Sequence, residues 1–134
     1  MFFESILQKS PSDFAASNNL ALALVEQDDE AKSRRALEYA EANVQKLPKS
    51  PNAASTYGWV LYKLGRLDDA EKALRTAASL GKVSVDTAYF TARLQVDRGQ
   101  KAEAKQLLET TLKGAKGLSM FRQEAESLLE QLKK

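Results

Sequence analysis

A fixed spacing of 34 residues relates the small and apolar side chains along this 134-residue sequence. The pairs at this spacing are Gly65 and Gly99, Ala70 and Ala104, and Leu74 and Leu108. A period of this length is typical of repeat proteins, in which each unit buries its apolar face against the next unit. The chain is therefore predicted to fold as a stack of similar units.

Each unit is predicted to contain two antiparallel helices. In the middle unit, apolar or small residues lie at helical spacing on two faces: Ala54, Tyr57, Gly58, Leu61 and Leu64, and then Ala70, Ala73, Leu74 and Ala77. Gly65 lies between the two faces, where glycine can adopt the left-handed conformation that ends a helix. Asp13, Ser50 and Ser84 are each placed to cap the N-terminus of a first helix. Pro51 follows in a first turn, where its missing N–H is harmless.

The first unit departs from the regular spacing. The pair Tyr57-Gly58 matches the pair Leu20-Ala21 37 residues earlier, whereas the second helices keep the spacing of 34. Three extra residues are therefore predicted between the helices of the first hairpin, around Gln27 to Glu30. Ala31 stands where the 34-residue spacing would place the turn glycine, so this turn is expected to differ from the turn at Gly65.

The middle unit resembles the tetratricopeptide repeat, which has small and large apolar residues on its first helix and Ala, an apolar residue, Ala and Pro along its second. The matching residues are Gly58, Leu61, Gly65, Ala70, Leu74 and Ala77. Pro11 and Pro48 match the closing proline of the preceding units, whereas Lys82 replaces this proline after the middle unit. The resemblance implies an all-α fold, a right-handed superhelical stack of antiparallel helical hairpins.

The resemblance also divides the chain into segments of one domain. Residues 1–11 would be the second helix of a truncated unit, followed by repeats at 12–48, 49–82 and 83–116 and a capping helix at 117–134. The last segment has an apolar stripe and a polar opposite face, as a terminal helix needs to cover the last hairpin; the stripe is Phe121, Ala125, Leu128, Leu129 and Leu132. We expect the chain to be the C-terminal end of a longer bacterial protein.

The first helix of the third unit has lost part of the apolar pattern. Thr91, Gln95 and Arg98 replace the apolar residues of the middle unit. This helix is expected either to be rotated or to be partly open to solvent. If rotated, it would bury Val85, Ala88, Leu94 and Val96.

Composition narrows the possible functions. The sequence has no histidine and no cysteine, which removes the commonest general base and the usual zinc ligands. The adjacent carboxylates Asp68 and Asp69 would not face each other on a helix. We therefore expect no enzyme, and no catalytic, cofactor or metal site. A net charge of +2 with interleaved signs argues against nucleic-acid binding, and no apolar run is long enough to span a membrane.

A groove on the concave side is the predicted binding site. In a stack of such hairpins the first helices line the concave side, and their residues directed away from the hairpin seam would contact a protein or peptide segment. The candidate residues are Asn18, Leu22, Asn52, Ser55, Trp59, Tyr62, Lys63, Tyr89, Phe90 and Arg93. The mixed aromatic and polar character of this set suits an interface.

Two interpretations of Trp59 and Tyr62 are open at this point. They can brace neighbouring first helices, or they can contact a ligand directly, and a half-buried aromatic ring can do both. Some members of the family bind a terminal carboxylate with Lys, Arg and Asn. The matching positions here are Asn18, Leu22, Thr56, Asp86 and Phe90, so that role is not expected.

Two further functions remain as alternatives to partner binding. Phe3, Ile6 and Leu7 could pack against a second copy of the chain, because an exposed apolar strip seldom stays uncovered. The array could also be the regulatory part of a larger enzyme, recruiting its substrates. The sequence indicates no compartment, since cytoplasm and periplasm are both compatible with it.

Overall fold

The computed structural model describes residues 13–114 and 119–134. These residues form seven α-helices and no strand: α1 (Asp13–Val25), α2 (Glu30–Lys46), α3 (Pro51–Lys63), α4 (Leu67–Ser79), α5 (Val85–Asp97), α6 (Lys101–Gly114) and α7 (Arg122–Leu132). Three hairpins, α1–α2, α3–α4 and α5–α6, stack in chain order. The first helices α1, α3 and α5 pack side by side, and α7 continues their layer against α5. The predicted all-α solenoid is confirmed.

Two of the predicted helix caps are present. The Ser50 hydroxyl oxygen accepts a hydrogen bond from the Ala53 N–H at 3.2 Å, and the Ser84 oxygen accepts one from the Thr87 N–H at 3.1 Å. A cap that was not predicted starts α2, where Asp29 accepts from the Lys32 N–H at 3.0 Å. The side chain of Asp13 lies outside the described part, as do Phe3, Ile6, Leu7 and Pro11.

The turns within the hairpins use a left-handed residue. Gly65 has φ 83° and Gly99 has φ 78°, as the helix-ending role predicted. In the first hairpin Asp28 takes this role with φ 49°, because a short polar side chain tolerates the left-handed region. Ala31 instead lies in the first turn of α2.

The extra residues of the first hairpin do not simply lengthen its loop. The loop at residues 26–29 is one residue longer than those at 64–66 and 98–100, whereas α2 has 17 residues against 13 in α4 and 14 in α6. The prediction that the three extra residues lie in the turn is thus corrected, because most of these residues extend α2. The Asp29 cap allows this earlier start.

Short side chains let the paired helices approach closely. The small residues at the seams are all buried: Gly58, Ala70, Ala77, Ala92 and Ala104. Gly58 on α3 faces Leu74 on α4, and large apolar residues such as Leu61 and Leu108 occupy the remaining space.

The first helix of the third unit, α5, keeps its core face at nearly the same repeat positions as α3, with Ala92 buried at the position of Gly58. Val85, Ala88 and Leu94 are buried, whereas Thr91 is only half-buried and Arg98 is exposed. Because Gln95 and Arg98 are more exposed than their counterparts Leu61 and Leu64, this agrees with the partly open alternative of the two predicted. Val96 is half-buried at the edge of the core, and the buried Oε1 atom of the half-buried Gln95 has no described hydrogen-bond partner.

A carboxylate of α5 fixes the start of α7. One oxygen of Asp86, Oδ1, accepts from the Phe121 N–H at 3.0 Å and also from the Ser119 hydroxyl. Phe121 is the N-cap residue of α7 and has no capping side chain of its own. Asp86 therefore satisfies a free N–H of α7 across the interface between two helices.

Replacing Asp86 by alanine should loosen this end of the array. We expect a loss of about 1 kcal/mol in the free energy of unfolding, because a backbone N–H and a hydroxyl lose their acceptor. Urea unfolding followed by far-ultraviolet circular dichroism measures the loss. Asp86→Asn keeps an acceptor oxygen and should lose less; equal stability of Asp86→Ala and the unmodified chain would contradict the cap.

Candidate functional site

Five aromatic rings pack together where the first helices meet α7. The Trp59 ring stacks on Phe90 with centroids 4.5 Å apart and on Tyr62 at 5.2 Å. Phe121 packs edge-on against Phe90 at 4.8 Å and stacks on Tyr89 at 5.6 Å. Trp59 is 1% exposed, so this aromatic cluster is part of the core.

Burial divides the predicted groove residues into two groups. Five are buried: Leu22, Ser55, Trp59, Tyr89 and Phe90. Five keep accessible surface: Asn18, Asn52, Tyr62, Lys63 and Arg93. Neighbouring helices cover Leu22, Ser55, Trp59 and Phe90, so the expectation that these four line an open groove is corrected; the buried Tyr89 borders the cleft between α5 and α7. Trp59 is a bracing residue in this structure, and binding by the accessible residues stays a prediction.

Polar bonds connect successive first helices at one edge of this layer. The Trp59 Nε1–H donates to Oε1 of Glu26 at 2.9 Å, and the Tyr62 hydroxyl donates to Oδ2 of Asp97 at 2.6 Å. The Lys63 ammonium lies 4.9 Å from the Trp59 ring centroid and 3.8 Å from the Glu26 carboxylate. These bonds tie α1 to α3 and α3 to α5.

Tyr62 is a hydrogen-bond donor throughout the neutral range. Burial raises the pKa of its hydroxyl above 10.0, and the hydrogen bond to Asp97 raises this pKa further. A phenol whose pKa is raised holds its proton more firmly, so the bond to the Asp97 carboxylate persists at neutral pH.

An open cleft lies between α5 and α7. Its volume is about 630 Å³. Its lining residues are Tyr89, Arg93, Val96 and Asp97 from α5, and Gln123, Glu124, Ser127, Leu128 and Gln131 from α7. Of the predicted groove residues, only Tyr89 and Arg93 line this cleft. None of the α7 residues was predicted as part of a site, because Leu128 was expected to cover the last hairpin and the polar face of the helix to be only a solvated surface.

The cleft is open because α7 presents polar residues to α5. Arg93 lies 34 residues after Trp59 and is its counterpart in the third unit. Trp59 is covered by the aromatic rings of the next first helix, Tyr89 and Phe90. Arg93 faces polar residues of α7 where Trp59 faces aromatic rings. The space that the rings fill beside Trp59 is therefore left open beside Arg93.

Arg93 is half-buried, and its described hydrogen-bond partners are neutral hydroxyls. Its Nη1 donates to the Tyr89 hydroxyl at 3.0 Å, and its guanidinium carbon lies 5.9 Å from the centroid of the Tyr89 ring. Among the described residues it forms no ion pair, although Asp97 follows one turn later on α5. Asp97 instead accepts from Tyr62.

A second depression, of about 310 Å³, lies between α2, α3 and α4. Two of its charged groups are paired, since Nη2 of Arg66 lies 2.8 Å from Oδ2 of Asp69, and Lys72 also lines it. Tyr57 also lines it, and burial raises the pKa of this hydroxyl above 10.0. The cleft between α5 and α7 is larger and is lined by two of the predicted groove residues, Tyr89 and Arg93, and it is therefore the stronger candidate site.

Residues 13–114 and 119–134 contain neither a cluster of metal ligands nor a helix that could span a membrane. No three acidic side chains in these ranges are grouped as a metal site would require. Over the same residues, no helix combines the length and the apolar character needed to cross a membrane.

The comparisons with known proteins agree with the repeat architecture. The family model described as anaphase-promoting complex, cyclosome, subunit 3 matches residues 29–111, more than half of the chain. The chain belongs to this family of tetratricopeptide repeat proteins. Proteins with this fold generally mediate protein–protein interactions and are typically non-catalytic scaffolds.

A solved tetratricopeptide repeat structure is similar over almost the whole chain. It is the crystal structure of a thermophilic tetratricopeptide repeat protein of Thermus thermophilus, with a TM-score of 0.75 and 21% sequence identity. The similarity covers 96% of this chain and 70% of that one. At this identity the likeness shows a common fold. No curated protein sequence matches the chain significantly.

Proposed function

We propose that the chain is an interaction module that binds a segment of a partner protein on the side formed by its first helices, in the cleft between α5 and α7. The open, mostly polar cleft is the observation that carries this proposal. Its volume of about 630 Å³ falls in the range of small binding sites, roughly 300–1,000 Å³.

The lining of the cleft suits a polypeptide. Gln123 and Gln131 carry amide groups that both donate and accept hydrogen bonds, and Ser127 carries a hydroxyl. Such groups can satisfy the N–H and C=O groups of an extended backbone, which cost free energy if buried without partners. Val96 and Leu128, which are half-buried, add an apolar wall for one side chain.

Lengthening one exposed side chain tests the cleft directly. Ser127→Arg would place a long side chain across the cleft without removing a core contact, since Ser127 is exposed. We expect the affinity for a partner to fall about tenfold or more, because about 1.4 kcal/mol of lost binding free energy suffices for a factor of ten. Partners captured from the source organism by the immobilised full chain would be identified by mass spectrometry and titrated calorimetrically.

Thr110→Arg is the matched control. Thr110 is exposed on α6, away from the cleft, and the substitution makes the same change in charge. Partners should be retained by Thr110→Arg and lost by Ser127→Arg. A partner that binds both variants as tightly as the unmodified chain would show that the cleft is not the binding site.

A further inference from the structure

We infer that the cleft between α5 and α7 selects an extended partner segment with one acidic side chain, which pairs with Arg93. This rests on the proposed function and names the chemistry of the partner. The starting observation is the half-buried Arg93 guanidinium, whose described neighbours are the neutral hydroxyls of Tyr89 and Tyr62.

The guanidinium is prepared to bind an anion. It carries five N–H donors in a planar fork, and its described hydrogen bonds go to two neutral hydroxyls, that of Tyr89 through Nη1 and that of Tyr62. The hydrogen bond and the ring contact with Tyr89 hold the side chain in place, so less conformational entropy is lost when a ligand binds. A carboxylate matches the fork geometry and can accept two parallel hydrogen bonds from it.

The chain does not supply this carboxylate itself within the described residues. Asp97 is the acidic residue nearest to Arg93 along α5, but its carboxylate accepts the Tyr62 hydroxyl and forms no ion pair with Arg93. Glu124, on the opposite wall, has no described ion pair either. A partially desolvated cation gains most from a partner that brings its own negative charge into the cleft.

The other charges of the cleft limit which acidic segments fit. Asp97 and Glu124 are both exposed and line the same cleft as Arg93. They repel a second carboxylate placed beside the first, whereas neutral neighbours are tolerated. The selected segment therefore has a single Asp or Glu flanked by neutral residues, with its backbone held by the amides of Gln123 and Gln131.

A displayed peptide library supplies the probe. Random dodecapeptides fused through their C-termini would be selected on the immobilised full chain, so that any carboxylate at the site must come from a side chain. Enriched peptides should share one acidic position. Synthetic copies, with this position as Glu or as Gln, would then be titrated by fluorescence anisotropy.

Arg93→Gln should weaken the Glu peptide about tenfold or more and leave the Gln peptide nearly unchanged, because only the former loses a charge-assisted pair. Arg93→Lys keeps the charge and should restore part of the affinity. Glu124→Gln should tighten binding of the Glu peptide at low salt. Lys105→Gln, on α6, removes a positive charge outside the cleft and should leave the affinity unchanged.

The outcomes separate this inference from the proposed function. One outcome is that the peptides bind the unmodified chain, do not bind Ser127→Arg, and bind Arg93→Gln as tightly as the unmodified chain. This would support the cleft as the binding site and would overturn the acidic partner. Enrichment of basic residues dependent on Asp97 or Glu124 would also overturn it. Peptides that bind Ser127→Arg unchanged would overturn both.

Discussion

Replacing Trp59 by alanine is expected to lower the free energy of unfolding by about 3–5 kcal/mol, the cost of removing a large buried aromatic side chain. Trp59 is 1% exposed and contacts rings from α3, α5 and the start of α7. Its removal would leave a cavity shared by three elements of the first-helix layer. The loss of its N–H also leaves the Glu26 carboxylate without this donor.

Urea unfolding monitored by circular dichroism measures this effect, since the variant has no tryptophan left for fluorescence. Trp59→Phe retains an aromatic ring and should cost much less than the alanine variant. If Trp59→Ala were as stable as the unmodified chain, the ring could not be part of the core. An aromatic side chain lining an open groove would show that insensitivity, which distinguishes the bracing role from direct contact.

The sequence was sufficient to predict the repeat and the seam within each hairpin. These depend on local rules: Gly65 must adopt a left-handed conformation, Ser50 must cap a helix, and Ala70 must be small where two helices meet. Each rule involves residues close in sequence or separated by the repeat period. They could therefore be read from the sequence alone.

The surface between successive first helices could not be predicted in the same way. A first helix contacts its own second helix and also the first helices before and after it, and helical periodicity does not show how closely those neighbours approach. The sequence therefore left open whether Trp59 braces neighbouring helices or lines a groove, and in the structure Phe90 and Tyr89 of the next unit cover it. The cleft was missed for a related reason: it exists only because α7 presents Ser127 and its polar neighbours where another repeat would present rings.

The Asp28 turn shows a similar limit. The spacing indicated where residues had been inserted, but not whether they would extend a loop or a helix. The outcome depended on Asp29 capping α2 early and on Asp28 tolerating a positive φ. Both are properties of individual side chains that the repeat pattern does not specify.

Gly58→Ala is expected to destabilise the chain by about 1–2 kcal/mol, although alanine is the better helix former. A Cβ at this position would lie 2.7 Å from Cγ of Leu74 and 3.3 Å from the backbone oxygen of Ala70. Leu74 is buried and the Ala70 oxygen belongs to the backbone of α4, so α3 and α4 would have to move apart. Overpacking of this kind costs about 1–3 kcal/mol, whereas the gain from replacing a helical glycine is about 0.5–1 kcal/mol.

Gly114→Ala separates these two effects. Gly114 is also helical, at the end of α6, but a Cβ there would meet no atom of residues 13–114 or 119–134 within 4 Å. Only the gain in helix propensity applies, so this variant should be as stable as the unmodified chain or more stable by up to about 1 kcal/mol. The urea midpoint of unfolding should therefore fall for Gly58→Ala. For Gly114→Ala it should rise or stay unchanged. Stabilisation by Gly58→Ala would mean that α3 and α4 do not approach as closely as the seam between them requires.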